Sequence, residues 1–194
     1  MNKINTIIYS ILFILVVFLI LNGFMMREYT KTYKYSNETI IVKIWALYEP
    51  KKAFKDINQI YLDNNDLIMD EKEEYLNNLV KEYLDKNHYN KYIINMDNTI
   101  RLSDNEFRIG LPDALDDLKV TKVIKAKNKC ISSYIKGKSV VTVISDKECE
   151  KIAHTLLSKD INEELKYINS LKNVDAIFNI DGEFIKSNNF KKYE

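Results

Sequence analysis

Polar and apolar positions divide the chain into one unbroken apolar block and a longer region where periods of two and of about 3.6 alternate. Ile4 to Met26 carries no charge. At 1.5 Å per residue it is long enough for a hydrocarbon core of about 30 Å. No small-residue cleavage pattern follows it and no cysteine near its end could take a lipid. The block therefore predicts a transmembrane signal anchor over residues 1–27 that is retained. Residues 28–37 are polar and tyrosine-rich and read as a juxtamembrane spacer, leaving 38–194 as the folded domain.

Within that domain, Thr39 to Tyr48 reads as a strand. Lys51 to Leu62 reads as a helix with Ala53, Phe54, Ile57, Ile60 and Tyr61 inward. Asp70 with Glu73 opens a second helix, whose inner face is Tyr75, Leu76, Leu79, Val80, Tyr83 and Leu84. Strands follow at Lys91–Met96 and Thr99–Leu102 around an Asp97-Asn98 turn, then at Glu106–Leu111, Leu118–Ala126 and Cys130–Tyr134. After a tight Lys136-Gly137-Lys138 turn, Val140–Ile144 is a β-branched strand. Ser145 stands three residues before Glu148, the spacing of a capping box, ahead of apolar residues at Cys149, Ile152, Ala153, Leu156 and Leu157. Asp160 with Glu163 starts another helix, and Val174–Ile180 and Glu183–Ser187 flank Asp181-Gly182 as a hairpin. Strands joined mostly by short turns, with helices between groups of them, predict an α+β fold: a largely antiparallel twisted sheet with packed helices.

Charge and composition remove whole classes of function. Lys plus Arg at 29 against Asp plus Glu at 28 leaves a net +1, which excludes the broad basic footprint of a nucleic-acid binder. Only 4 glycines occur and they are scattered, so no glycine-rich loop cradles a phosphate. Cys149 falls on the apolar face of its helix and reads as a small buried hydrophobe, a bridge to Cys130 being the alternative. His88 reads as a residue of the loop ending a helix, and Asp113, Asp116 and Asp117 as a solvated connection. The tyrosines at 75, 83, 89 and 92 read as packing.

The ordered segment from Ser139 to Phe190, with VTVI, two helices and then VDAIFNIDGEFIKSNNF, resembles the C-terminal part of the ApbE family of FAD:protein FMN transferases. YLNNLVKEYLDKNHYNKYIINMDNTI and EFRIGLP resemble the family's helix–strand–turn and the strand after it. The resemblance implies chemistry built on FAD, a divalent cation and an acceptor threonine on another protein. It also implies an extracytoplasmic domain on the cell membrane, although Arg27, Lys31 and Lys34 after the apolar block, taken alone, favour a cytoplasmic one.

Several motif positions depart from the family. Its glycine-rich segment corresponds to Leu67–Tyr75, which keeps only Tyr75; its Gly-Gly turn is Asp97-Asn98; its Thr-Ser-Gly-Asp strand end is Ile131–Tyr134. The Asp and Thr of its metal helix correspond to Glu150 and His154, a pair at i and i+4 better suited to Zn²⁺ or another transition ion than to Mg²⁺. The expectation is a membrane-anchored, non-catalytic relative that binds neither FAD nor metal and serves an envelope or redox membrane protein. The alternative is an active, shortened transferase that uses FAD with Mg²⁺ or another divalent metal through Glu150 and His154.

Overall fold

The stretch read as a spacer is a strand. β1 (Arg27–Tyr35) pairs along its whole length with antiparallel β2 (Glu38–Ala46), so that Arg27 faces Ala46 and Tyr35 faces Glu38. Tyrosines conceal its period of two: Tyr29, Tyr33 and Tyr35 pack inward while Thr30, Thr32 and Lys34 are exposed. Tyr33 stacks on Tyr35 with ring centroids 6.4 Å apart, and its hydroxyl donates to the Phe54 carbonyl at 2.7 Å. A phenol can fill an apolar face and still satisfy its oxygen, so a polar-looking segment builds a sheet edge.

The computed structural model describes the chain apart from residues 1–2, 25, 36–37, 65, 68–70, 114–118 and 157–159; in the first helix it describes side chains for 8–18. That helix, α1, is Lys3–Phe24. Among the described residues no helix is long and apolar enough to cross a membrane.

From β2 the chain runs through α2 (Lys51–Asp63) and α3 (Lys72–Lys86) to β3 (Tyr92–Met96) and β4 (Thr99–Leu102). Next come a two-stranded sheet of β5 (Phe107–Pro112) and β6 (Val120–Ala126), then β7 (Cys130–Lys136) and β8 (Ser139–Ser145). The chain ends in α4 (Cys149–Thr155), α5 (Ile161–Ser170), β9 (Val174–Ile180), β10 (Glu183–Lys186) and a 3₁₀ turn at Phe190–Tyr193. The main sheet is eight-stranded in the order β1-β2-β3-β4-β7-β8-β9-β10, and each of its pairs is antiparallel.

Helices cover one face of this sheet. Val42, Ile57, Val80 and Ile94 form an apolar cluster under α2 and α3, and Val143, Ile152, Ile168 and Phe178 form another under α4 and α5. The small sheet covers the opposite face, with Ile109 and Ile124 on Ile131, Ile144 and Ile177. β8 is buried on both sides, which explains its unbroken β-branched run. Each fully buried side chain of this kind stabilises the fold by about 2 kcal/mol. At Gly110 an added Cβ would stand 2.8 Å from Val120 Cγ2, so the Val120 side chain fills the space that a side chain there would need.

The strand register gives the sheet two unlike ends. Arg27, Ala46, Tyr92, Leu102, Cys130, Ser145 and Val174 lie at one end. The hairpin turns Asp97-Asn98, Gly137-Lys138 and Asp181-Gly182 lie at the other. Asp181 at φ 51° and Gly182 at φ 91° hold the left-handed backbone that a two-residue hairpin requires.

Candidate functional site

Between the two helix-side clusters the sheet carries a buried polar knot where the N-termini of α3 and α4 meet. Glu74, in the first turn of α3, accepts the backbone N–H groups of Glu148 at 2.5 Å and Glu150 at 3.1 Å. Glu150, in the first turn of α4, accepts the N–H of Glu74 at 2.7 Å. Each helix thus lends a carboxylate to cap the other, joining residues 76 apart in sequence. Anionic groups at helix starts are favoured by the orphan N–H donors and by the helix dipole. Both side chains are buried, at 6% and 4% exposure.

This arrangement replaces the expected capping box. Ser145 is the last residue of β8, and its hydroxyl donates to the Lys147 carbonyl at 2.6 Å instead of reaching the helix. Glu148 takes φ 58° and its own side chain caps nothing. The Asp160 cap, by contrast, forms as expected, accepting from Asn162 N at 2.8 Å.

Two like charges brought together out of water do not both ionise freely. Burial pushes the Glu150 carboxyl up to about 7; the bond from Glu74 N opposes this, and the charges of Glu73, Glu74 and Glu71 add to it. Arg101 supplies the cation of the knot. Its guanidinium donates from Nη1 to the Asp146 carbonyl at 2.8 Å, while its Nε has no partner among the described residues. Burial lowers its pKa, and the nearby Glu74 carboxylate opposes that.

The cysteines adjoin the same knot, and here the free-thiol expectation is corrected. Cys130 and Cys149 form a disulfide with Cα atoms 5.7 Å apart. Cys130 pairs with Ser145 across β7 and β8, and α4 begins four residues later, folding back over β7. The loop geometry therefore brings the first residue of α4 onto the first residue of β7. Among the described residues the metal-competent atoms gathered together are those of Glu74, Cys130 and Cys149, and the bridge takes both thiols out of any ligand set.

The i, i+4 pair that the alternative reading assigns to a metal is divided between interior and surface. Glu150 turns inward to cap α3, while His154 is exposed and packs its ring against Tyr134 at 5.0 Å. The Asp97-Asn98 turn, which the resemblance aligns with the family's Gly-Gly turn, is likewise filled by the protein itself. Asp97 N donates to Thr39 O at 3.2 Å, and Asp97 Oδ1 accepts Thr39 N at 3.1 Å. Asn98 N donates to the Glu73 carboxylate at 3.2 Å. Burial raises the Glu73 carboxyl pKa, its bond with Thr99 lowers it, and the Asp97 charge raises it further. A cleft of about 320 Å³ opens beside this turn, lined by Asn95, Asp97, Ile109, Lys119 and Ile135 among others. The turn's N–H groups are already taken, that of Asp97 by the Thr39 carbonyl and that of Asn98 by the Glu73 carboxylate, so the residues present do not fit a diphosphate and its cation.

The remaining candidates are structural. His88 takes φ 62° just after α3 and donates its N–H to Asp85 O at 3.1 Å. Tyr83 and Tyr92 donate to Asp56 at 2.8 Å and Asp85 at 2.5 Å. Of the acidic connection, Asp113 pairs with Lys119 at 4.0 Å, while Asp116 and Asp117 lie outside the described residues, as does Asp70.

No protein-family model matches the sequence, and no curated protein is similar to it. Solved structures are similar in fold. The flavin transferase ApbE from Vibrio cholerae superposes with a TM-score of 0.67 at 9% identity, covering 87% of this chain and 100% of that one. A histidine-to-glycine variant of that protein gives 0.69 at 10% identity. The apo form of the Pseudomonas stutzeri flavinyl transferase ApbE gives 0.61 at 10% identity, covering 84% and 95%. At such identities the likeness establishes architecture alone: this chain has the fold of the ApbE flavin transferases.

Proposed function

We propose that the protein is a membrane-anchored domain of the cell envelope that uses this fold as a binding or accessory module for an envelope or redox membrane protein, without transferring FMN. The observation that carries this reading is the reciprocal Glu74–Glu150 capping. The carboxylate at the cation position is committed to a helix N-terminus, and the turn at the diphosphate position binds Glu73. The charge-free run of sequence from Ile4 to Met26 supports the anchor. The buried Cys130–Cys149 bridge supports an extracytoplasmic domain, since disulfides persist in oxidising compartments.

One observation favours the second reading, an active shortened transferase working with a divalent metal. Glu71, Glu73, Glu74 and Glu150 crowd negative charge at one place, as a cation site does. Flavin-fluorescence titration of the full chain in detergent, with FAD and either Mg²⁺ or Zn²⁺, separates the two. The accessory-module reading expects no saturable quenching. Saturable quenching that Glu150→Ala or His154→Ala abolishes would establish the second reading in its place.

A further inference from the structure

The end of the sheet where β1 begins is the end nearest the apolar block. Only residues 25 and 26 separate Phe24, the last residue of α1, from Arg27, the first of β1. Three Cα–Cα steps reach about 11 Å at full stretch. If α1 holds the bilayer, as proposed above, this end is held against the lipid headgroups.

Its chemistry suits that position. Ala46 lies directly opposite Arg27, and the loop after it presents Leu47 at 45% exposure and Tyr48 at 85%. Tyr48 is the most exposed large apolar side chain among the described residues, and nothing within the domain accounts for it. Trp45 stands beside them, packed on Phe107 at 5.6 Å with Lys91 Nζ 5.0 Å from its ring centroid. Trp and Tyr at a polar–apolar boundary, with Lys beside them, is the composition that membrane interfaces select. Lys147 and Lys172 extend from the same sheet end, on the rim of a groove of about 640 Å³ beside α4 and α5. Glu49, Asp104 and Glu106 also lie there, so the surface is mixed in sign and the apolar pair carries the contact. The hairpin turns at the opposite end, Asp97-Asn98, Gly137-Lys138 and Asp181-Gly182, are polar.

We infer that this sheet end docks on the surface of the chain's own membrane. Leu47 and Tyr48 enter the headgroup boundary, and Lys91, Lys147 and Lys172 face the lipid phosphates. Docking fixes the tilt of the domain, so the small sheet and the cleft beside Asp97 point sideways and outward, where an envelope partner can reach them. The inference rests on the anchoring reading and adds a second contact with the membrane to it.

The chain carries its own reporter, because Trp45 is its single tryptophan. Full-length protein is reconstituted into phosphatidylcholine–phosphatidylglycerol vesicles whose acyl chains are brominated near the headgroup. Docking predicts co-flotation with the vesicles and a loss of Trp45 fluorescence of at least about twofold against unbrominated vesicles. The double variant Leu47→Glu/Tyr48→Glu, altered only at exposed positions, should float equally and regain most of the emission. Flotation without quenching, or equal quenching in the double variant, overturns the docking and leaves the anchor standing. Wild-type protein that fails to float overturns the anchor, and the docking with it.

Discussion

Glu74→Ala lowers the stability of the domain by about 3 kcal/mol, because the start of α4 loses the carboxylate that caps it. The substitution strips two backbone N–H groups of their acceptor at the start of α4, that of Glu150 buried and that of Glu148 partly so. It also removes one of the negative charges that act on Arg101, which is buried at 7% exposure. For a domain of this size the loss corresponds to a fall in Tm of about 6–12 °C. Glu150 behaves differently because its folded pKa is raised, to about 7. A raised carboxyl pKa means that the fold prefers the protonated form. The stability this contributes is complete below the unfolded value of 4.5 and is lost as pH rises through about 7. Wild-type protein should therefore unfold more readily at pH 8 than at pH 5, by on the order of 2 kcal/mol from this group. Glu150→Gln, neutral at every pH, should flatten that dependence. Urea unfolding of both variants and wild type at the two pH values checks each statement, and a wild-type profile that rises from pH 5 to 8 by this amount would contradict the assignment.

Opening the Cys130–Cys149 bridge is the second large effect. The two cysteines lie 19 residues apart, so the bridge removes about 3 kcal/mol of chain entropy from the unfolded state. It also ties the start of α4 to β7 next to the reciprocal caps, so its loss loosens the Glu74–Glu150 contacts as well. Cys130→Ala/Cys149→Ala should shift the urea midpoint down, and reductant should do the same to wild type while leaving the double variant unmoved. A wild-type midpoint indifferent to reductant would mean that the bridge does not form.

Much of the scaffold was legible because local signals agreed with one another. Val174–Ile180, Asp181-Gly182 and Glu183–Lys186 combine alternation with the one turn chemistry that suits a two-residue hairpin, and the hairpin forms as read. Asp160 precedes an amphipathic run and caps it. β1 was missed because its inward positions are tyrosines, which composition counts as half polar and packing treats as apolar. The Ser145–Glu148 spacing misled for the opposite reason: the motif was present, but β8 runs on through Ser145 and leaves its side chain no path to the helix.

The site was harder to read than the scaffold. Glu74 and Glu150 each carry a visible signal, an acidic residue in the first turn of a helix. Nothing local says that each serves the other helix, because the contact exists only once β4, β7 and β8 pair side by side and bring α3 against α4. The disulfide was hidden across a shorter separation of 19 residues, because its cysteines meet only through the return of α4 over β7. Glu73 on the Asp97-Asn98 turn is a third case, a tertiary contact that takes the Asn98 N–H.

In the proposed reading, carboxylates of the protein occupy the positions that the family resemblance aligns with a transferase's cation and diphosphate sites. The most direct test incubates the full chain in detergent with FAD, Mg²⁺ and a flavin-acceptor domain, and reads covalent flavin on the acceptor by in-gel fluorescence and intact mass. The account predicts an acceptor of unchanged mass and no fluorescent band. An acceptor carrying covalent FMN, its formation abolished by Glu150→Ala, would contradict it.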